Sequence, residues 1–187
     1  KLLPYPTTVL GASEVNLLEL ANLYRSIASG LVAQPYIVDR VTDSAGNEVY
    51  RRVTDSRPVS LPPGALEAMQ EGLRSVVRLP SGTAHALDSA SFPIPVMGKT
   101  GTTSDFRDAL FVGSTYGLTG VTVAIRVGFD DNRSLGYGET GGRAALPVFP
   151  ETMLALYSRG LVGPVPRFPR SLEKGIEDYL HGPQLVP

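Results

Sequence analysis

The chain has 187 residues, 42% of them hydrophobic and 19% charged, a composition that supports one domain with a buried core and excludes bulk disorder. Lysine and arginine number 17 against 18 acids, a formal net charge of -1, so no overall basic surface is available for nucleic acid or an anionic membrane. The absence of cysteine excludes disulfides, zinc–thiolate sites and thiol catalysis.

With 20 glycines and 16 prolines, many short elements joined by tight turns are expected. Ser13 is read as an N-cap for an amphipathic helix from Glu14, carrying Leu17, Leu20, Ala21, Tyr24 and Ala28 at helical spacing up to a stop at Gly30. Tyr36–Val41 and Glu48–Val53, separated by turn residues between Asp43 and Asn47, predict a peripheral hairpin. Pro62 and Pro63 open a second helix whose apolar stripe is Leu66, Met69, Leu73 and Val76.

Ser81-Gly82-Thr83-Ala84 leads through Leu87, Pro93 and Pro95 to a strand at Val96–Thr102. Two further strands, Ala109–Tyr116 and Gly120–Phe129, have the spacing of an antiparallel hairpin, and Val121, Val123, Ile125, Val127 and Phe129 alternate along the second. After a glycine-rich loop at 136–142, Pro147 opens a helix with Val148, Met153, Leu154 and Leu156 apolar. From Gly160 onward prolines recur at 164, 166, 169, 183 and 187, so 160–187 is expected to be a tail or linker without a fold of its own. The fold class is α+β: an antiparallel sheet with covering helices, residues 1–159 forming the domain.

The chemistry concentrates at Lys99-Thr100-Gly101-Thr102, which sets an ammonium, two hydroxyls and a residue without a side chain on successive strand positions. Lys99 and Gly101 share one face and Thr100 and Thr102 the other, and glycine lets a substrate backbone approach closely. A carboxylate ligand fits such a strand. Lys-Thr-Gly is also the third motif of penicillin-binding proteins and class A β-lactamases. Its flanks extend the likeness: Gly98 to Ala109 runs into Phe111-Val112-Gly113, followed by Gly128-Phe129-Asp130-Asp131-Asn132 and Thr140-Gly141-Gly142 with Ala144 and Pro147, and preceded by Leu10-Gly11-Ala12-Ser13-Glu14-Val15 with Leu18-Glu19-Leu20-Ala21. In order and spacing these blocks resemble the transpeptidase domain of bifunctional, class A penicillin-binding proteins, over roughly residues 4–157.

The resemblance implies the penicillin-recognising serine-enzyme fold. It implies that Lys99 sets the electrostatics of a catalytic serine, that the hydroxyls of Thr100 and Thr102 hold the substrate carboxylate beside Gly101, and that the Thr102 N–H is an oxyanion donor. The substrate would be the D-Ala-D-Ala end of a peptidoglycan stem peptide, with β-lactam antibiotics as covalent inhibitors and no cofactor or metal. The parent would work on the extracytoplasmic side of a bacterial membrane. No apolar run approaches the roughly 18 residues needed to span a bilayer, so the anchor is expected outside this chain, as is any signal peptide. In this family the Ser-x-x-Lys and Ser-x-Asn motifs precede the Leu-Gly-Ala-Ser-Glu block, and here only ten residues precede Gly11. Both motifs are therefore expected in the upstream part of the same domain, and the isolated chain is expected to be inactive.

Other candidates reduce to ordinary roles. Ser171-Leu172-Glu173-Lys174 matches Ser-x-x-Lys but lies on the wrong side of Lys99, and reads as an N-cap with a solvent-facing lysine. Gly98-Lys99-Thr100 is no phosphate loop, since Pro93 stands where the first glycine is required. His85 and His181 stand far apart with no metal or triad spacing. Asp130 and Asp131 read as turn residues, Arg107 and Asp108 as supports for the loop beside Lys99, and Thr140–Gly142 as a loop ending at a helix. Two other classes of function stay open at this point: a non-catalytic module binding peptidoglycan or a partner protein, and a fragment of a β-lactamase or β-lactam sensor.

Overall fold

A computed structural model describes residues 15–182. Ser13 and Glu14 lie outside them, and the first helix, α1 (Leu17–Ser29), is capped by Asn16. The Asn16 side chain accepts from the Glu19 N–H at 2.8 Å while the Glu19 carboxylate accepts from the Asn16 N–H at 3.0 Å, a reciprocal arrangement that satisfies two otherwise orphaned donors.

The next stretch makes two small antiparallel sheets. β1 (Leu31–Ala33) pairs with β4 (Ser56–Pro58), and β2 (Arg40–Thr42) with β3 (Glu48–Arg51). The hairpin is where the alternation places it, but its first strand begins at Arg40, because Tyr36–Asp39 has no partner strand. The β1–β4 pair, three residues on each side, is too short to show a period of two.

α2 (Ala65–Arg78) forms as expected, and Leu73 and Val76 of its apolar stripe pack against the core, but the most buried positions are not those of the stripe. Met69 is exposed, whereas Gln70, Arg74 and Val77 are buried. The polar pair is tolerated there because each finds partners: Gln70 Nε2 donates to the Ile27 carbonyl at 2.7 Å, and Arg74 Nη1 to that of Val96 at 2.7 Å.

The central sheet has the order β5 (Met97–Thr102), β6 (Asp108–Ser114), β7 (Thr122–Gly128), all antiparallel. In its register Thr100 faces Phe111, which faces Ile125, and Thr102 faces Ala109, which faces Val127, so these side chains share one face. α3 (Val148–Ser158) covers that face through Phe149 and Met153, both fully buried, while Val148 and Leu154 point outward. On the other face Met97 meets Ala28 of α1. The segment after Gly160 does acquire structure: α4 (Arg170–His181) places Leu172 and Ile176, with Phe168 before it, in the same buried cluster as Met97. Ser171 sits in its first turn rather than at the cap, which is Pro169, and Lys174 is exposed.

Candidate functional site

Two hydrogen bonds fix how the sheet presents its edge. The Thr103 N–H donates to the Asp108 carbonyl and the Thr115 N–H to that of Val121, each at 3.0 Å. Antiparallel ladders alternate between bonded and non-bonded pairs, so Met97, Lys99 and Gly101 are the residues of β5 that bond β6. The peptide groups of Gly98, Thr100 and Thr102 consequently point away from β6. β5 pairs with no other strand among the described residues, and this edge is open.

Lys99 is exposed, and its ammonium donates to the Thr100 carbonyl at 2.9 Å, folding from one face of the strand onto its edge. Gly101 shares the Lys99 face. The Thr102 N–H points to the same edge, two residues further on. The two hydroxyls lie on the opposite face, as side-chain alternation requires. Thr102 Oγ1 accepts from the Gly141 N–H at 3.1 Å, which leaves the hydroxyl proton free to donate elsewhere. Thr100 Oγ1 lies 2.8 Å from Thr83 Oγ1, so this pair of hydroxyls also keeps one proton for a ligand.

The loop before α3 can reach Thr102 only because residue 141 is glycine: a Cβ there would collide with the carbonyl oxygens of Leu110 and Gly101. The chain then continues through a single π-helical turn, Gly141–Ala145, into α3. The sequence marks Thr83 only as part of a connecting segment and Gly141 only as part of a loop ending at a helix, not as partners of the two threonines. Each is a partner through one contact, 17 and 39 residues away in sequence, and no local pattern encodes such a pairing.

The turn from β5 to β6 is tightly held. Thr103 Oγ1 accepts from the Asp108 N–H at 2.7 Å, and Asp108 pairs with Arg126 of β7 at 2.6 Å. Asp108 thus supports this loop as expected, while Arg107 reaches only Asp105, at 3.3 Å. Asp105 and Phe106 both have left-handed backbones, φ 59° and 55°, a cost on the order of 1–3 kcal/mol each. The second loop offsets it: Ser134 Oγ donates to the Asp105 carbonyl at 2.6 Å, and the Leu135 N–H to that of Phe106 at 2.8 Å.

The remaining candidates take ordinary places. His85 Nδ1 donates to the Val77 carbonyl at 3.1 Å, and His181 ends α4 in solvent. Asp131 Oδ1 accepts from the Arg133 N–H at 3.3 Å across a turn in which Asn132 has φ 57°.

Comparison with known proteins gives a consistent result. Residues 6–154 match the family model described as penicillin binding protein transpeptidase domain. The chain is 37% identical over 152 residues to penicillin-binding protein 1A of Aquifex aeolicus, covering 80% of this chain and 20% of that protein. It is 34% identical over 149 residues to penicillin-binding protein 1A of Neisseria lactamica, covering 77% and 18%. The chain thus spans about a fifth of the length of these relatives. Among solved structures, penicillin-binding protein 1A of Haemophilus influenzae superposes with a TM-score of 0.71 at 21% identity, covering 89% of this chain and 29% of that one. The D,D-transpeptidase domain of a peptidoglycan glycosyltransferase from Eggerthella lenta gives 0.58 at 27% identity, covering 79% and 33%. The mixed α+β fold expected from the sequence is the fold of these domains.

Proposed function

The chain belongs to the penicillin-binding protein transpeptidase family, and on that premise we propose that it is the C-terminal part of a serine D,D-transpeptidase that cross-links peptidoglycan stem peptides. The observation that carries this reading is the open edge of β5, which sets the Lys99 ammonium on the Thr100 carbonyl beside an outward-pointing Thr102 N–H. A peptide laid along that edge meets a cation, a carbonyl acceptor and an N–H donor in sequence, with two hydroxyls behind them.

The serine comes from the upstream part of the domain. Its Oγ attacks the carbonyl carbon of the D-Ala–D-Ala bond while the terminal carboxylate is held by Thr100 and Thr102. The carbonyl oxygen gains charge and is met by the Thr102 N–H, a donor of a kind worth about 3 kcal/mol of transition-state stabilisation. Lys99 lowers the cost of forming the serine alkoxide. The terminal D-Ala leaves as a protonated amine, and the amine of a second stem attacks the resulting ester and releases the serine. β-Lactams acylate the same serine and hold the enzyme at the ester stage. This chemistry belongs on the extracytoplasmic face of the bacterial membrane. Among the described residues no helix is long and apolar enough to cross a membrane, and the anchor is assigned to the rest of the parent protein. Residues 1–159 are assigned to the transpeptidase domain, and 160–187 to a tail or linker of which α4 packs against that domain.

A fluorescent penicillin tests the reading. The full-length protein is expected to label covalently and this chain alone to remain unlabelled. Lys99→Met in the full-length protein should slow acylation by roughly 10²–10⁴-fold, the usual contribution of a positioned acid or base. Failure of the full-length protein to label would leave a non-catalytic binding module instead. Rapid turnover of a chromogenic cephalosporin would make the parent a β-lactamase or sensor.

A further inference from the structure

Arg74 is a cation in the middle of α2 whose side chain is only 8% exposed. Its fork has two targets: Nη1 donates to the Val96 carbonyl at 2.7 Å and Nε to Glu173 Oε1 of α4 at 2.8 Å. The guanidinium carbon lies 4.7 Å from the centre of the Phe168 ring. The second oxygen of Glu173 is 3.5 Å from Arg78 Nε, and Arg78 Nη1 donates to both carboxylate oxygens of Asp88 at 3.1 Å.

The alternation that turns the Thr100 and Thr102 peptide groups outward turns the Val96 carbonyl the same way. Arg74 therefore holds this edge at Val96, the residue just before β5, while the stretch from Lys99 to Thr102 stays open. A helix flank has no free backbone donor in its middle turns, so only a side chain can satisfy that carbonyl from α2. The charge is expensive in this place. Burial lowers the pKa of Arg74, an effect that the Glu173 carboxylate opposes. Replacing a buried ion pair by an apolar pair of similar volume is often neutral or stabilising, so the pairing of Arg74 with Glu173 gives by itself no reason for a charge here. What Arg74 and Glu173 add is a directed hold on one backbone carbonyl.

We propose that Arg74 and Glu173 are positioning residues for the transpeptidase site, with α4 holding Glu173 on Arg74 and Arg74 holding the Val96 carbonyl, so that the edge bearing Lys99 and Thr102 keeps its place. The assignment to that reaction rests on the function proposed above; the hold on β5 does not. It makes the site depend on a helix, Arg170–His181, that lies outside the family match at 6–154.

The test uses the full-length protein. The double variant Arg74→Met/Glu173→Leu removes the charges together and keeps volume. Its thermal midpoint is expected to fall by only a few degrees, because the Val96 carbonyl loses its donor while the cost of burying two charges disappears. Hydrogen exchange at the amides of Met97, Lys99 and Gly101, whose partners are on β6, should speed up about tenfold, while β7 amides are unchanged. Acylation by a fluorescent penicillin should slow by about tenfold. Arg74→Lys, which keeps one donor for Val96 but not the fork, should fall between the two in both readouts. If the double variant does not fold, Arg74→Lys alone decides.

Exchange at Met97, Lys99 and Gly101 indistinguishable from the parent in a folded variant overturns the hold, whatever the labelling. Faster exchange with unchanged acylation overturns the positioning role. A parent that never labels refutes the transpeptidase reading and with it that role, while exchange still decides the hold.

Discussion

The central sheet and the β2–β3 hairpin are built from the same antiparallel chemistry, yet only one of them is covered. Phe111 and Ala109 of β6 are completely buried under α3 and the chain before β5. Every residue of β2 and β3 is exposed, including Val41, Val49 and Tyr50. The hairpin is held by its turn: Asp43 Oδ1 accepts from the N–H groups of Ala45 and Asn47 at 2.9 and 2.8 Å, and Gly46 supplies the left-handed position with φ 85°. Asn47 Nδ2 also donates to Asp43 Oδ2 at 3.0 Å, and this bond, ahead of the backbone ones, draws the Asp43 carboxyl below its usual pKa. A lone two-stranded ribbon is marginal in water. Alternation therefore marks a strand, but packing on its faces determines whether its apolar side chains contribute to the fold.

The sharpest way to break this contrast is to hollow out the covered side. Phe149 meets Phe111 edge-on at 4.9 Å and Phe92 at 6.1 Å between ring centres, with no exposed surface. Phe149→Ala should cost about 3–5 kcal/mol, read as a fall in the unfolding midpoint of the full-length protein. A loss below about 1 kcal/mol would mean that α3 does not seal the sheet.

Smaller and more local is Gly141→Ala. The new methyl meets carbonyl oxygens of Gly101 and Leu110, and neither can move without disturbing β5 or β6. An overpacking cost of about 1–3 kcal/mol is expected. Because the Gly141 N–H is the donor to Thr102 Oγ1, the same variant should slow labelling by a fluorescent penicillin. Normal stability together with normal labelling would show that the loop does not rest on the β5–β6 seam.

The covered sheet was also the most legible part of the sequence. Val121, Val123, Ile125 and Val127 gave β7 its period, and the alternation at Lys99–Thr102 correctly separated the ammonium from the hydroxyls. What stayed hidden has specific causes. An apolar template applied to α2 selects Met69, which is exposed, and passes over Gln70 and Arg74, because it cannot credit a buried polar side chain with a partner 43 or 22 residues away. Prolines at 164, 166 and 169 suggested a structureless tail, yet Leu172 and Ile176 sit one turn apart on the buried side of α4. Thr83 is a site residue only by virtue of the strand it touches. Periodicity reports what each segment does by itself, and these contacts exist only after segments meet.

The smallest expected effect tests the uncovered side. Val49 is 62% exposed in β3, so Val49→Ser removes a side chain from water rather than from a core. The change should stay within about 0.5 kcal/mol, the range of ordinary surface substitutions, with any loss arising from the lower strand preference of serine. The same substitution at Val123, packed against the main core from β7, should cost more, because it deletes packed apolar surface and sets a hydroxyl against that core. Measured in the full-length protein, the pair becomes a probe of assembly. If Val49→Ser costs as much as Val123→Ser there, but nothing in this chain alone, the upstream part of the domain must cover the hairpin, and its exposed valines and tyrosine would be one half of an intradomain contact. If both settings give no effect, the hairpin is a solvent-facing ribbon carried by its turn, and the difference between the two sheets is intrinsic to the fold.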